Sequence, residues 1–131
     1  MLERLKQLEK NLEELKRFKK KTSLKEVHQD IQKQWILRYG LFESIQIVID
    51  VSCHLAVRHN LGNPTSYLEC VELLLKYGYL RKEIFEKLKG MIGLRNILIH
   101  EYPIIDIEQL YNFLDHLSDF SDFAQEVRKY L

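Results

Sequence analysis

Glycine and proline are scarce in this chain, at five and two among 131 residues. That scarcity excludes a collagen-like repeat and a low-complexity disordered tract, both of which need these residues in bulk. Cys53 and Cys70 form no CxxC pair and stand beside no histidine cluster, so neither a metal site nor a disulfide framework is read from them. A chain of this size buries roughly two thirds of its unfolded surface and can hold a core without staples. Both cysteines are therefore expected as small, reduced core residues of a cytoplasmic protein.

Long apolar runs are also missing. No stretch approaches the ~18 uninterrupted residues of a membrane span, and residues 1–10 are too charged for a signal peptide, so a soluble chain with no membrane partner is expected. An excess of one charge is missing too: 20 Lys and Arg face 19 Asp and Glu, which leaves a net charge of +1 and no global field to hold a polyanion. The distribution is uneven, with eight basic and four acidic residues over 1–21 against two basic and seven acidic over 101–131. The basic end is read as a solvated helix face or, alternatively, as a track for RNA phosphates.

What the chain does have is apolar spacing of three and four. Leu2, Leu5, Leu8, Leu12, Leu15 and Phe18 predict an amphipathic helix over 1–21, ended by the run Lys19 to Lys21. Ser23 and Glu26 have capping-box spacing and open a second, long helix whose stripe runs from Leu24 through Val27, Ile31, Trp35, Phe42 and Ile45 to Leu55, with a bend expected at Gly40. Gly62, Asn63 and Pro64 end it. Ser66 and Glu69 cap a short third helix with Tyr67, Leu68, Val71 and Leu74 inward, and Gly78 closes it. A fourth runs from about Leu80 to about Glu101, ahead of Pro103, and Asp106 caps a fifth that carries Ile107, Leu110, Leu117, Phe120 and Val127. No segment alternates with period two. The expectation is one all-α domain over 1–131, an up-and-down bundle of about five helices.

Such a bundle says nothing of activity by itself, so the informative residues are those that break its rules. The series Ile84, Leu88, Met91, Arg95, Leu98, Tyr102 puts Arg95 on the apolar seam of the fourth helix, where arginine needs a partner. Two readings are open: a structural ion pair with a carboxylate such as Asp50, or an anion site. His100 follows five residues on, ~140° round the helix, so the two share no face. A long arginine could still converge with it at the helix end, or two copies of the helix could each supply half a site. Asn96 lies on the His100 face, and Tyr102 returns toward the seam. Imidazole can move the proton of a 2′-hydroxyl or a leaving oxygen, and guanidinium can hold the phosphate between them, so the set suits RNA cleavage without a metal. No HExxH, Walker loop, GxGxxG or serine elbow competes with it. Asp50 and His54, one turn apart, have a functional reading near this site and a plain one as surface residues.

The run Arg95-Asn96-Ile97-Leu98-Ile99-His100-Glu101-Tyr102 resembles the R-x4-H-x-Y signature of HepT-like proteins, in the HEPN superfamily of helical ribonucleases. The likeness extends from Ile45 through Pro64-x-Ser66-Tyr67-x-Glu69, Gly78 and Met91 to Asp106, and is poor in the N-terminal helix and the last few residues. It implies a metal-independent endoribonuclease without a cofactor, the toxin of a pair whose antitoxin is a minimal nucleotidyltransferase. It further implies a homodimer in which both copies of the motif line one cleft. Arg95 would then bind the scissile phosphate, His100 would act as base or acid, and Asn96 and Asp50 would support them. Tyr102 matches the tyrosine that the partner enzyme modifies with AMP, an anionic bulk that would repel RNA. The alternative is a non-catalytic subunit that presents a nucleotide or substrate to a nucleotidyltransferase.

Overall fold

A computed structural model of the chain describes residues 1–100 and 105–131. The described residues hold seven α-helices and no strand: α1 (Leu2–Lys21), α2 (Leu24–Gln29), α3 (Ile31–Arg58), α4 (Tyr67–Lys76), α5 (Lys82–His100), α6 (Ile107–Phe113) and α7 (Leu117–Val127). The all-α expectation holds, and the departures from five helices have local causes.

The first departure is at Asp30, where one long rod was expected. Its side chain accepts from the backbone N–H of Gln32 at 2.9 Å and so caps α3, while its own N–H donates to the Val27 carbonyl and closes α2. A short acidic side chain that caps α3 breaks the helix there, with the backbone N–H of the same residue closing α2. Ser23 and Glu26 do form the expected capping box at the start of α2. Gly40 has another use: a Cβ at this position would lie 2.7 Å from Leu15 Cδ2, so the missing side chain is what lets α1 approach α3. In the last helix, a 3-10 turn over Leu114–His116 separates α6 from α7.

Twenty-eight residues make α3 about 42 Å long. It touches every other helix and buries Leu37, Leu41, Ile45, Val48, Ile49 and Leu55. Its two fully buried serines are self-satisfied, since Ser44 donates to the Gly40 carbonyl at 2.7 Å and Ser52 to the Val48 carbonyl at 2.8 Å. This helix has the length and mean hydropathy, 1.4, of a membrane span, yet 56% of that window is buried inside the bundle, which is the pattern of a central core helix. Phe120 and Phe123 of α7 fill the core from the opposite side. Folding brings the basic and acidic ends of the chain together: Lys19 of α1 pairs with Asp115, and Glu9 of α1 pairs with Arg128.

Cys53 and Cys70 are joined as a disulfide, contrary to the free thiols expected. Packing of α4 on α3 brings their Cα atoms to 4.9 Å, inside the range a disulfide spans. The bond is tertiary, between two helices, and spacing along the chain carries no sign of it.

Candidate active site

Helix α5 turns Ile84, Leu88, Met91, Leu94 and Leu98 into the core, which leaves Arg95 half-buried at the edge of that face and Asn96 and His100 exposed. The guanidinium of Arg95 is held on several sides. Its Nε donates to Oε1 of Gln46 at 3.2 Å and its Nη1 donates to Oδ1 of Asn96 at 3.3 Å. Its central carbon lies 4.9 Å from the ring centre of Tyr67 and 5.9 Å from that of Phe42. Contacts of this kind contribute about 0.5–2 kcal/mol each. Phe42 and Gln46 are one turn apart on α3, and Tyr67 is the first residue of α4, set in place by Ser66, whose hydroxyl caps that helix. Three helices therefore hold one side chain.

Asp50 does not pair with Arg95. Its Oδ1 accepts from Nε2 of Gln46 at 2.8 Å and its Oδ2 accepts from Nη2 of Arg4 at 2.6 Å, so the Gln46 amide stands between carboxylate and guanidinium. The electrostatic result matters more than the geometry. Arg4 neutralises Asp50, while the hydrogen-bonding partners of Arg95 are both neutral amides, so Arg95 keeps its full charge for an anion. Had Asp50 paired with it directly, an incoming phosphate would have had to displace a carboxylate.

His100 is the last residue of α5, and with the helix regular up to it the ~140° offset from Arg95 stands. Glu101, Tyr102 and Pro103 lie outside the described residues. His54 is half-buried on α3 and is not drawn into the Arg95 network. Burial lowers its pKa below the usual histidine value, helped by the positive charges of the N-terminal amine, Arg58 and His59. Beside Arg95, a shallow groove of about 380 Å³ is lined by Thr65, Ser66, Tyr67, Leu68, Ile92 and Asn96. A larger cleft of about 540 Å³ between α1 and α3, lined by Leu15, Phe18, Ile36 and Tyr39 among others, contains none of the candidate site residues.

The family model described as ribonuclease HepT-like matches residues 8–127. The chain belongs to the ribonuclease HepT-like family. Among curated relatives, the mRNA nuclease HepT of Shewanella oneidensis is 28% identical over 101 residues, 76% of each chain. The tRNA nuclease HepT of Aphanizomenon flos-aquae is 28% identical over 129 residues, 98% of this chain and 87% of that protein. Among solved structures, the tri-AMPylated HEPN toxin of Shewanella oneidensis, in complex with its MNT antitoxin, superposes with a TM-score of 0.89 at 22% identity, covering 98% of this chain and 96% of that one. The cytosolic protein YutE of Bacillus subtilis superposes with a TM-score of 0.75 at 21% identity, covering 96% and 89%. These likenesses are of fold.

Several residues of this HepT-like site escaped the sequence reading. Gln46 sits four residues before Asp50 and so on the same helix face, a signal that was present and unused. Tyr67 reads as part of the inward side of α4, but it is 38% exposed, with its ring over Arg95. Arg4 carried no signal, because its partner is set only by how α1 lies on α3.

Proposed function

We propose that this HepT-like chain is a metal-independent endoribonuclease and the toxin of a toxin-antitoxin pair. The observation that carries the reading is the uncancelled Arg95 guanidinium, held by neutral amides and two rings at the helix end where His100 is exposed. Family membership supports it, as do the nuclease names of the two HepT relatives.

In this mechanism Arg95 binds the non-bridging oxygens of a backbone phosphate and stabilises the charge that grows on them. The 2′-oxygen forms a bond to phosphorus as the bond to the 5′-oxygen breaks. One imidazole takes the 2′-hydroxyl proton, and the leaving 5′-oxygen gains one, which yields a 2′,3′-cyclic phosphate and a 5′-hydroxyl. Because Arg95 and His100 point about 140° apart on one helix, two protomers pairing through this region complete the cleft, so that the arginine of one works beside the histidine of the other. Asn96 holds the Arg95 guanidinium from its own helix, and Asp50 supports it through Gln46. Neutralisation is assigned to a minimal nucleotidyltransferase antitoxin that transfers AMP from ATP to the Tyr102 hydroxyl with release of pyrophosphate, which adds an anion where RNA would lie. A cytoplasmic location goes with this reading, and the relative YutE is described as cytosolic.

Purified protein should cut RNA in the presence of a chelator and leave cyclic phosphate ends, and His100→Ala should abolish cutting. A His100→Ala protein that cuts as fast as the parent would refute the assignment. Failure of the parent to cut any RNA, together with tight capture of a nucleotidyltransferase, would favour the non-catalytic subunit instead.

A further inference from the structure

We infer that Gln46 is a positioning residue for Arg95 and that it is itself oriented from the N-terminal helix, through the ion pair of Arg4 with Asp50. The inference rests on the ribonuclease reading for its kinetic arm only.

The contacts run in one line: Arg4 Nη2 to Asp50 Oδ2 at 2.6 Å, Gln46 Nε2 to Asp50 Oδ1 at 2.8 Å, Arg95 Nε to Gln46 Oε1 at 3.2 Å, and Arg95 Nη1 to Asn96 Oδ1 at 3.3 Å. The middle link has a direction. A carboxylate accepts only, so Asp50 fixes the NH2 end of the Gln46 amide toward itself and leaves the carbonyl as the group facing Arg95. With the amide reversed, its NH2 would meet the Nε–H of Arg95, donor against donor, and its oxygen would meet the carboxylate. Asp50 in turn is paired with Arg4, in an ion pair whose side chains are each 38% exposed. Arginine carries about 2 kcal/mol of rotamer entropy, and fixing Nε settles the plane in which its two Nη groups lie. Among the described residues Nη2 makes no hydrogen bond, which leaves it for a ligand.

A positioning role and a generic structural role differ in what they disturb. Gln46→Met keeps the length of the side chain and removes both hydrogen bonds of its amide. Arg4→Met removes only the distant end of the line, three hydrogen bonds from Arg95. The expected kinetic result is a fall in kcat of up to about 100-fold for Gln46→Met with KM little changed, a smaller fall for Arg4→Met, and no added loss in the double variant, because both cut the same line. Gln46→Glu, which restores an acceptor for Arg95 but faces Asp50 with a like charge, should recover part of the rate. The second readout needs no activity: the Nε–H resonance of Arg95 in a 15N-1H spectrum of the full chain should stand apart from those of exposed arginines in the parent. It should move toward them in Gln46→Met and shift measurably in Arg4→Met, with melting temperatures recorded alongside. Additive kinetic losses, or an Arg95 resonance unmoved by Arg4→Met in a folded protein, would overturn the inference. If the parent cuts no RNA, the ribonuclease reading fails while the resonance still decides this one.

Discussion

Removing the bond between Cys53 and Cys70 should cost this fold a measurable share of its stability, and the structure sets the size. The two residues are 17 apart in sequence. Cross-linking a loop of that length lowers the entropy of the unfolded chain enough to stabilise the native state by about 3 kcal/mol. An unfolding entropy of about 2.1 cal/mol/K per residue over the whole chain converts this to roughly 11 °C in Tm. Native-state costs of reduction are small by comparison, because Cys70 is only 3% exposed and a buried thiol packs as a small apolar group. The assay is a pair of thermal melts by circular dichroism, with and without a reductant, after thiol titration in denaturant has established that the starting material holds no free thiol. Hydrogen exchange adds a local readout: amides of α4, tied to α3 by this bond, should exchange faster after reduction than those of α7. Melts that coincide within about 3 °C, starting from protein shown to be oxidised, would refute the entropic argument. Two free thiols in protein purified without reductant would refute the bond itself.

Two further predictions follow from packing and from charge. Gly40→Ala gains about 1 kcal/mol of helix propensity but drives a methyl to 2.7 Å from the buried Leu15, an overpacking cost of about 1–3 kcal/mol, so urea melts should show net destabilisation; Gly90→Ala, with nothing within 4 Å, should stabilise by up to about 1 kcal/mol. Equal effects of the two substitutions would show that the close approach of α1 to α3 is misjudged. The pKa of His54 is depressed on folding, so between the folded and unfolded values the unfolded chain binds more protons; the stability it contributes is complete above about pH 6.5 and lost as pH falls through the folded value. Part of the decline in Tm between about pH 7 and 5 should vanish in His54→Gln, and an unchanged pH profile would remove burial of His54 as its cause.

Much of the architecture could be read from residue order because the helices follow local chemistry. The capping serines Ser23 and Ser66, the Asp106 cap and the left-handed Gly78 all sit where their side chains or backbone demand a helix end. The misread element was the one where two local preferences competed. Apolar spacing runs unbroken from Leu24 into α3, and only the capping of α3 by the Asp30 side chain divides it. The candidate site was legible to the extent that it lies on one helix: Arg95, Asn96 and His100 came from spacing within α5. The groups that hold Arg95 from other helices were not, since Gln46, Phe42 and Tyr67 reach it only through the packing of α3 and α4 on α5, and Arg4 only through Asp50 and Gln46. The same holds for the disulfide, a meeting of two helix faces.

The gathering of those groups also bears on the order in which the chain becomes competent. Arg95 meets Gln46 across 49 residues of sequence, and Tyr67 arrives from a third helix. Such a non-local arrangement requires closure of the intervening loops before it exists. A nascent or truncated polypeptide ending before α5 has no guanidinium to place, and one that contains α5 without a docked α3 has it unfixed. A ribosome making a protein built this way faces no placed guanidinium until α5 has emerged and docked on α3.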